Sequence, residues 1–323
     1  MNIVIMGATS HVAKGLINQF LQSNDFHSHL FTRSEDKLQN FLNAINKPKN
    51  VNYTICTDYN LFSSFSYDVI INCVGVETRN KNNCDFTRYF TVTEKFDNIA
   101  IEYLQNKNPA ALYISLSSGA VYGIGFSTPA GENSVNHLPV NHIVPEDYYG
   151  IARINAEAKH RAHSNLRIID LRIFSYFSRF INLEDGYFIT DLMEAILNKK
   201  ILITDNTNIV RDYLHPKDLF VMIVKCIAAG NLNFAFDVNS SHPVTKQEIL
   251  DYFVSEYGLK YENRHCSQNV SATGPKSNYY STNDQASRIG YMPQFSSLDT
   301  LKCEAKYILT NKRINIEKES PTE

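Results

Sequence analysis

Gly7 ends a short apolar run at residues 2–6 and precedes a stretch, 11–21, whose apolar residues fall at helical spacing. A strand-to-helix turn is where a dinucleotide fingerprint must sit, because the free N–H groups of the helix N-terminus can hold a pyrophosphate. The loop reads Gly7-Ala8-Thr9-Ser10-His11-Val12-Ala13-Lys14-Gly15. Only the first of the three expected glycines is in register; Ser10 and Ala13 fill the other places, and on its own the loop also suits an ordinary turn. A second chemical feature follows the next strand, which ends Leu30-Phe31-Thr32-Arg33-Ser34. An acidic residue there would bind the ribose hydroxyls of NAD. Arg33 instead places a cation where a 2′-phosphate would lie, and Ser34 offers a hydroxyl and a helix N-terminal amide, which favours NADP. The alternatives are an exposed arginine without a ligand, or Asp36 serving NAD if the strand ends later. The cysteines Cys56, Cys73, Cys84, Cys226, Cys266 and Cys303 include no pair at C-x-x-C spacing, and His265 beside Cys266 is not a ligand pair. Reduced thiols and no metal centre are expected.

These residues need a scaffold. Short apolar runs at 2–6, 29–32, 51–56, 68–73, 110–115 and 166–172 alternate with helical patterns at 11–21, 34–45, 85–106 and 146–162. That alternation predicts βαβ units and a parallel sheet. A loop rich in Gly, Pro, Asn and His fills 119–145 and is long enough to be functional. Beyond residue 175 the pattern becomes mixed, with helices at 190–197, 216–229, 245–257 and 298–309 and strands at 201–204 and 234–238. The predicted fold is α/β: a Rossmann-like, doubly wound parallel sheet with a smaller mixed C-terminal lobe. Residues 1–175 form the dinucleotide-binding domain and 176–323 the substrate lobe, with the strand near 234–238 returning to the main sheet. Of 323 residues, 31 are basic and 33 acidic, a balance that offers no field for nucleic acid or an anionic membrane. No run approaches the ~20 apolar residues of a membrane span, and the N-terminus has no signal-peptide pattern. A cytoplasmic location is expected.

Several collinear segments resemble the extended short-chain dehydrogenase/reductase family of nucleotide-sugar epimerases, dehydratases and reductases. Cys56-Thr57-Asp58-Tyr59 is similar to the segment that contacts adenine, and Asn72-Cys73-Val74-Gly75 to the strand end beside the coenzyme. Tyr113 through Gly123 resembles the Ser-Ser-Ser-x-x-Val-Tyr-Gly segment. Tyr149-Gly150-Ile151-Ala152-Arg153 stands where the family has Tyr-x-x-x-Lys, with Glu157 following. Leu171-Arg172-Ile173-Phe174, Arg211 through Leu219, and Ser281 through Leu301 continue the likeness over nearly the whole chain.

The resemblance implies roles. Tyr149 would be the acid/base that moves a proton while hydride passes between nicotinamide and a sugar carbon. A free phenol has a pKa of about 10, and a nearby cation lowers it. Arg153 would supply that cation in place of lysine; it is bulkier, planar and permanently protonated, so it cannot lend a proton to a relay. Ser118 would hold the reacting oxygen. Coenzyme contacts are implied for Gly7, Thr9, Ser10, His11, Val12, Arg33, Ser34, Asp58, Val74, Gly75, Tyr149, Arg153 and Phe174. Ser118, Ser175 and Arg211 would meet the substrate, Arg211 at its diphosphate. His215 is expected to pack or cap, and His137 and His142 to line the cleft or be solvated. Gly119 and Ala120 follow Ser118 where the dehydratases carry an Asp-Glu pair, which disfavours water elimination. The expected activity is therefore NAD(P)-dependent reduction of a keto-sugar on a nucleoside diphosphate, with NADP favoured over NAD. Epimerisation is the alternative, as is a catalytically silent dinucleotide sensor of the same fold. The likeness also implies a homodimer through the helices at 85–106 and 146–162.

Overall fold

The computed structural model describes residues 1–48, 50–76, 85–264 and 276–310. Cys84, His265, Cys266 and the tail from Asn311 lie outside the described residues. The first half contains β1 (Asn2–Met6), α1 (His11–Phe20), β2 (His27–Phe31), α2 (Glu35–Ala44), β3 (Tyr53–Cys56), β4 (Val69–Asn72), α3 (Thr87–Asn106), β5 (Leu112–Ser118), α4 (Pro145–Ala162) and β6 (Arg167–Ile173). Then come β7 (Ser175–Tyr176), α5 (Phe188–Leu197), β8 (Ile201–Thr204), β9 (Val210–Arg211), β10 (Tyr213–Leu214), α6 (Pro216–Ala228), β11 (Phe234–Val238), β12 (Val244–Thr245), α7 (Lys246–Tyr257), β13 (Lys260–Asn263), β14 (Asn278–Tyr279) and α8 (Ser297–Thr310).

Seven strands form one parallel sheet in the order β11-β6-β5-β4-β1-β2-β3. The order reverses between β1 and β4, which opens a crevice at the carboxyl ends of these strands. Both faces are covered, so the strands are apolar nearly throughout rather than alternating. On β1, Ile3 and Ile5 face a core built with Leu16, Ile17 and Phe20 of α1, Leu38 and Leu42 of α2, and Leu219, Met222 and Ile223 of α6. Val4 and Met6 face the other way, onto Ala100, Ile101 and Leu104 of α3. A third core joins α5, α7 and α8 through Leu192, Met193, Phe253 and Leu301.

The expected 110–115 strand runs on to Ser118, because Leu116, Ser117 and Ser118 pair with Leu171, Arg172 and Ile173 of β6. The 119–145 loop accordingly begins with a 3₁₀ turn, Gly119–Tyr122.

Beneath the crevice lies a buried polar chain. The Asn72 amide donates to the Tyr113 hydroxyl (3.0 Å), which donates to Asp97 (2.8 Å). His160 bridges Asp97 (2.5 Å) and Asp170 (2.9 Å), and Arg161 also donates to Asp170 (2.8 Å). Tyr113, His160 and Asp170 are fully buried, so this chain ties β4, β5, β6, α3 and α4 together in one arrangement. Burial opposes a charged His160, but its bonds to Asp170 and Asp97 outweigh that and push its pKa up to about 9. The folded value lies above the ordinary 6.5, so this group's stabilisation is complete below about pH 6.5 and is lost as pH rises through about 9. Urea unfolding should show stability falling across that window by about 3 kcal/mol. His160→Gln should be less stable at low pH and show a flatter profile.

Candidate functional site

Gly7 sits at the end of β1 with φ +71°, a backbone state that L side chains seldom adopt. A Cβ there would also lie 3.1 Å from both the Val74 nitrogen and its Cγ2. The glycine is thus needed because the loop passes close against the end of β4. Ser10 caps α1 by accepting from the Ala13 N–H (3.3 Å), and the first turn of α1 carries no acidic residue. That leaves a positive helix terminus suited to a phosphate. Gly15 has a separate reason to be glycine: a Cβ would stand 1.8 Å from the Tyr176 hydroxyl. His11, at the start of α1, bonds Ser178 (2.8 Å), so its ring is tied to the C-terminal segment. Thr9 Oγ1 lies 3.5 Å from Thr32 Oγ1, and Val12 packs onto the core.

Thr32, not an acid, follows β2, and Arg33 beyond it is exposed. Ser34 needs a correction: its N–H is already bonded to Thr32 Oγ1 (3.1 Å), so that amide is not free for a ligand. Ser34 also makes no side-chain cap to α2. Asp58 is exposed and accepts from the Asn60 N–H (2.9 Å), capping a 3₁₀ turn. Its neighbour Tyr59, which the motif reading passed over, accepts from the Gly7 N–H (3.2 Å) and lies beside Phe31 and Phe96. Burial pushes the Tyr59 phenol up to about 12.

At the other side of the crevice, Val74 follows β4 and donates to Asn72 Oδ1 (3.0 Å). A Cβ on Gly75 would be 3.9 Å from an Arg153 guanidinium nitrogen, so Arg153 points toward this strand end. Arg153 is 8% exposed, and no carboxylate among the described residues lies within ion-pair distance of it. Its Nε is buried without a hydrogen-bond partner. The guanidinium carbon stands 5.3 Å from the centroid of the Tyr149 ring. Burial opposes its charge, but Tyr149, then Tyr113 and Asp170, outweigh burial and raise its pKa. Tyr149 is half-buried, its ring edge-on to Tyr89 at 5.5 Å. The substitution of arginine for lysine therefore leaves a cation beside the phenol.

Ser118 ends β5. Its Oγ accepts from the Ala120 N–H (3.2 Å) and lies 3.0 Å from the Tyr279 hydroxyl. The helix bearing Tyr149 docks against the turn after Ser118 through Gly150, where a Cβ would meet the Ala120 carbonyl oxygen at 2.5 Å. An acidic side chain after Ser118 has no room, since a Cβ on Gly119 would be 2.4 Å from the Phe174 ring. Phe174 is turned into a cluster with Phe126, Tyr122 and Tyr279, so its ring is engaged in packing rather than presented to a ligand. Ser175 lies in β7 and pairs with Tyr213.

Arg211 makes no ion pair with Asp212 or Asp218. It donates to the carbonyls of Val210 (2.9 Å) and Lys276 (2.8 Å). Asp212 accepts from the Ser240 N–H, and Asp218 from those of Gln294 and Phe295. His215 caps α6 and stacks on Phe295 at 3.8 Å, a structural position. His137 and His142 are exposed. A last network fixes the mouth: Glu157 holds Ser117 (2.6 Å) and Arg172 (2.6 Å), Arg172 reaches Tyr122 (2.9 Å), and Asp237 takes Tyr122 (2.9 Å) and Ser281 (2.6 Å).

The family described as "NAD dependent epimerase/dehydratase family" matches residues 3–237. No curated protein matches the chain in sequence. Solved structures share its fold. A tyrosine-to-phenylalanine variant of UDP-glucuronic acid 4-epimerase from Bacillus cereus, in complex with UDP-4-deoxy-4-fluoro-glucuronic acid and NAD, superposes with TM-score 0.77. It is 17% identical, over 95% of this chain and 99% of that one. A dTDP-glucose 4,6-dehydratase from Bacillus anthracis in complex with NAD gives TM-score 0.73 at 15% identity, over 97% of each chain. UDP-glucose 4-epimerase from Thermotoga maritima with UDP-glucose gives 0.72 at 15%, over 95% of this chain and 98% of that one.

Proposed function

Because this chain belongs to the NAD-dependent epimerase/dehydratase family, we propose that it transfers hydride between a nicotinamide dinucleotide and a nucleoside-diphosphate sugar, with reduction of a keto-sugar as the favoured direction. The observation that carries this reading is a buried guanidinium, Arg153, with no carboxylate partner among the described residues, set against Tyr149 and the end of β4. A charge removed from water needs a partner, and a phenolate together with ribose hydroxyls at Gly75 would provide one. The glycine turn, the acid-free α1 terminus and the orphan Arg153 Nε fit a dinucleotide in the crevice. A nicotinamide bound there supplies the hydride.

The chain's own residues do the rest. Ser118 has one hydroxyl proton and two lone pairs. With the Ala120 N–H donating, and Tyr279 O–H placed to donate, its own proton is left for the substrate's carbonyl oxygen. Tyr149 gives the matching proton as that oxygen becomes a hydroxyl, and Arg153 faces the phenolate that remains. Arg211, half-buried, donates to the Lys276 carbonyl, pairs with no carboxylate among the described residues, and would meet the diphosphate. Glycine and alanine after Ser118 carry no acid for water elimination. Pairing of α3 and α4 between two copies would form the dimer.

Arg33, exposed after a strand that ends in Thr32, supports NADPH as the reductant. Arg33→Ala should weaken NADPH by about tenfold, the loss of a charge-assisted contact, while leaving NADH nearly unchanged. Fluorescence titration of both coenzymes checks this; equal effects on the two would show that Arg33 does not meet the 2′-phosphate. Epimerisation is the second reading, favoured by neighbours that are themselves UDP-sugar epimerases. A coenzyme balance separates the two: a reductase oxidises one NADPH per product, an epimerase consumes none.

A further inference from the structure

Lys276 is an anomaly in this cleft. It is 8% exposed, and no carboxylate of the described residues pairs with its ammonium. The Nζ lies over the Tyr279 ring, 4.0 Å from its centroid, and 5.7 Å from that of Phe126. Burial, and then the like charge of Arg211, lower its pKa to about 7. Aromatic faces offer part of what an ammonium loses on leaving water, not all of it. The remainder calls for an anion that the described residues do not provide.

Its position says where that anion would be. Tyr279, under the ammonium, is bonded to Ser118 (3.0 Å). Lys276 also shares a small cavity, about 10 Å³, with Ala120, two residues after Ser118, and with Gly150 and Ile151, the two residues after Tyr149. It therefore stands at the reacting end of the cleft, while the Arg211 side chain reaches the Lys276 backbone from the other side. Of the two acids lining the same cavity, Asp147 is engaged by the Val144 N–H (3.1 Å), and neither it nor Glu146 comes within ion-pair distance of Lys276.

We propose that Lys276 receives a carboxylate borne by the sugar itself, so that the substrate class is a nucleoside-diphosphate sugar acid rather than a neutral sugar. This rests on the nucleotide-sugar reading above and adds a second recognition charge to it, distinct from the diphosphate. The step is binding only; no bond is made or broken at Lys276.

Calorimetry of the full-length protein, loaded in parallel with NADP and with NAD, with UDP-glucuronate, UDP-glucose and UDP tests it. The sugar acid should bind at least about tenfold more tightly than the neutral sugar, as one buried charge-assisted contact provides. Lys276→Met should bring the two sugars level, and Lys276→Arg should restore the preference. If wild-type protein binds UDP-glucose as well as UDP-glucuronate, the sugar-acid proposal fails and the nucleotide-sugar reading stands. If none of the three ligands binds, both fail. The wild-type comparison decides the matter even where a variant does not fold.

Discussion

Tyr149→Phe should lower turnover by about 10³-fold, the scale of a lost general acid, while coenzyme affinity changes little. The separation follows from the geometry. The phenyl ring keeps its edge contact with Tyr89 at 5.5 Å and its place beside Arg153 at 5.3 Å, so packing and the cation–ring contact survive. Only the hydroxyl is lost, and with it the proton that must reach the substrate oxygen as hydride arrives. Because that interaction belongs to the transition state, kcat should fall with KM roughly constant. Coenzyme titration and steady-state turnover on the same preparation read the two quantities. Turnover within about threefold of wild type would show that another group moves the proton.

Gly150→Ala should be nearly as damaging, for a purely steric reason. The added carbon would stand 2.5 Å from the Ala120 carbonyl oxygen and 3.4 Å from its carbon. Both are backbone atoms and cannot rotate aside. α4 must therefore move off the turn that follows Ser118, separating the helix that carries Tyr149 and Arg153 from the strand that carries Ser118. Overpacking of this kind costs about 1–3 kcal/mol of stability. A displacement of about 1 Å at reacting groups costs about 10²-fold in rate. Gly125→Ala is the control, since nothing lies within 4 Å of a Cβ there. Thermal unfolding and turnover of both variants test the argument; equal behaviour would mean the contact between α4 and the turn does not position the site.

The parallel sheet was legible because its strands are covered on both faces and so appear as unbroken apolar runs. β1 and β11 fall at the predicted residues, and β4 within one residue of them. The two-residue strands β7, β9, β10, β12 and β14 carry no such pattern. They exist only through pairing with distant partners, as Val244 pairs with Arg211 and Asn278 with Val210. The same division runs through the site. Gly7 was readable from its place between a strand and a helix. Gly15 was not, since the atom that excludes a side chain there belongs to Tyr176, far along the chain. Tyr279 touches Ser118 across 161 residues, and Lys276 gains its meaning only from the ring beneath it. Ser34 failed in the opposite sense: its type suits a ligand, but Thr32 had already taken its N–H.

The proposed chemistry requires Tyr149 and Arg153 to face a redox-active nicotinamide. Rapid mixing of coenzyme-loaded protein with nucleotide sugars, followed through the near-ultraviolet absorbance of reduced nicotinamide, addresses it most directly. We expect a transient or net change in that absorbance with wild type and none with Tyr149→Phe. Tight coenzyme binding with no absorbance change across neutral and acidic sugar nucleotides and their keto forms would contradict the account and leave a dinucleotide sensor in its place.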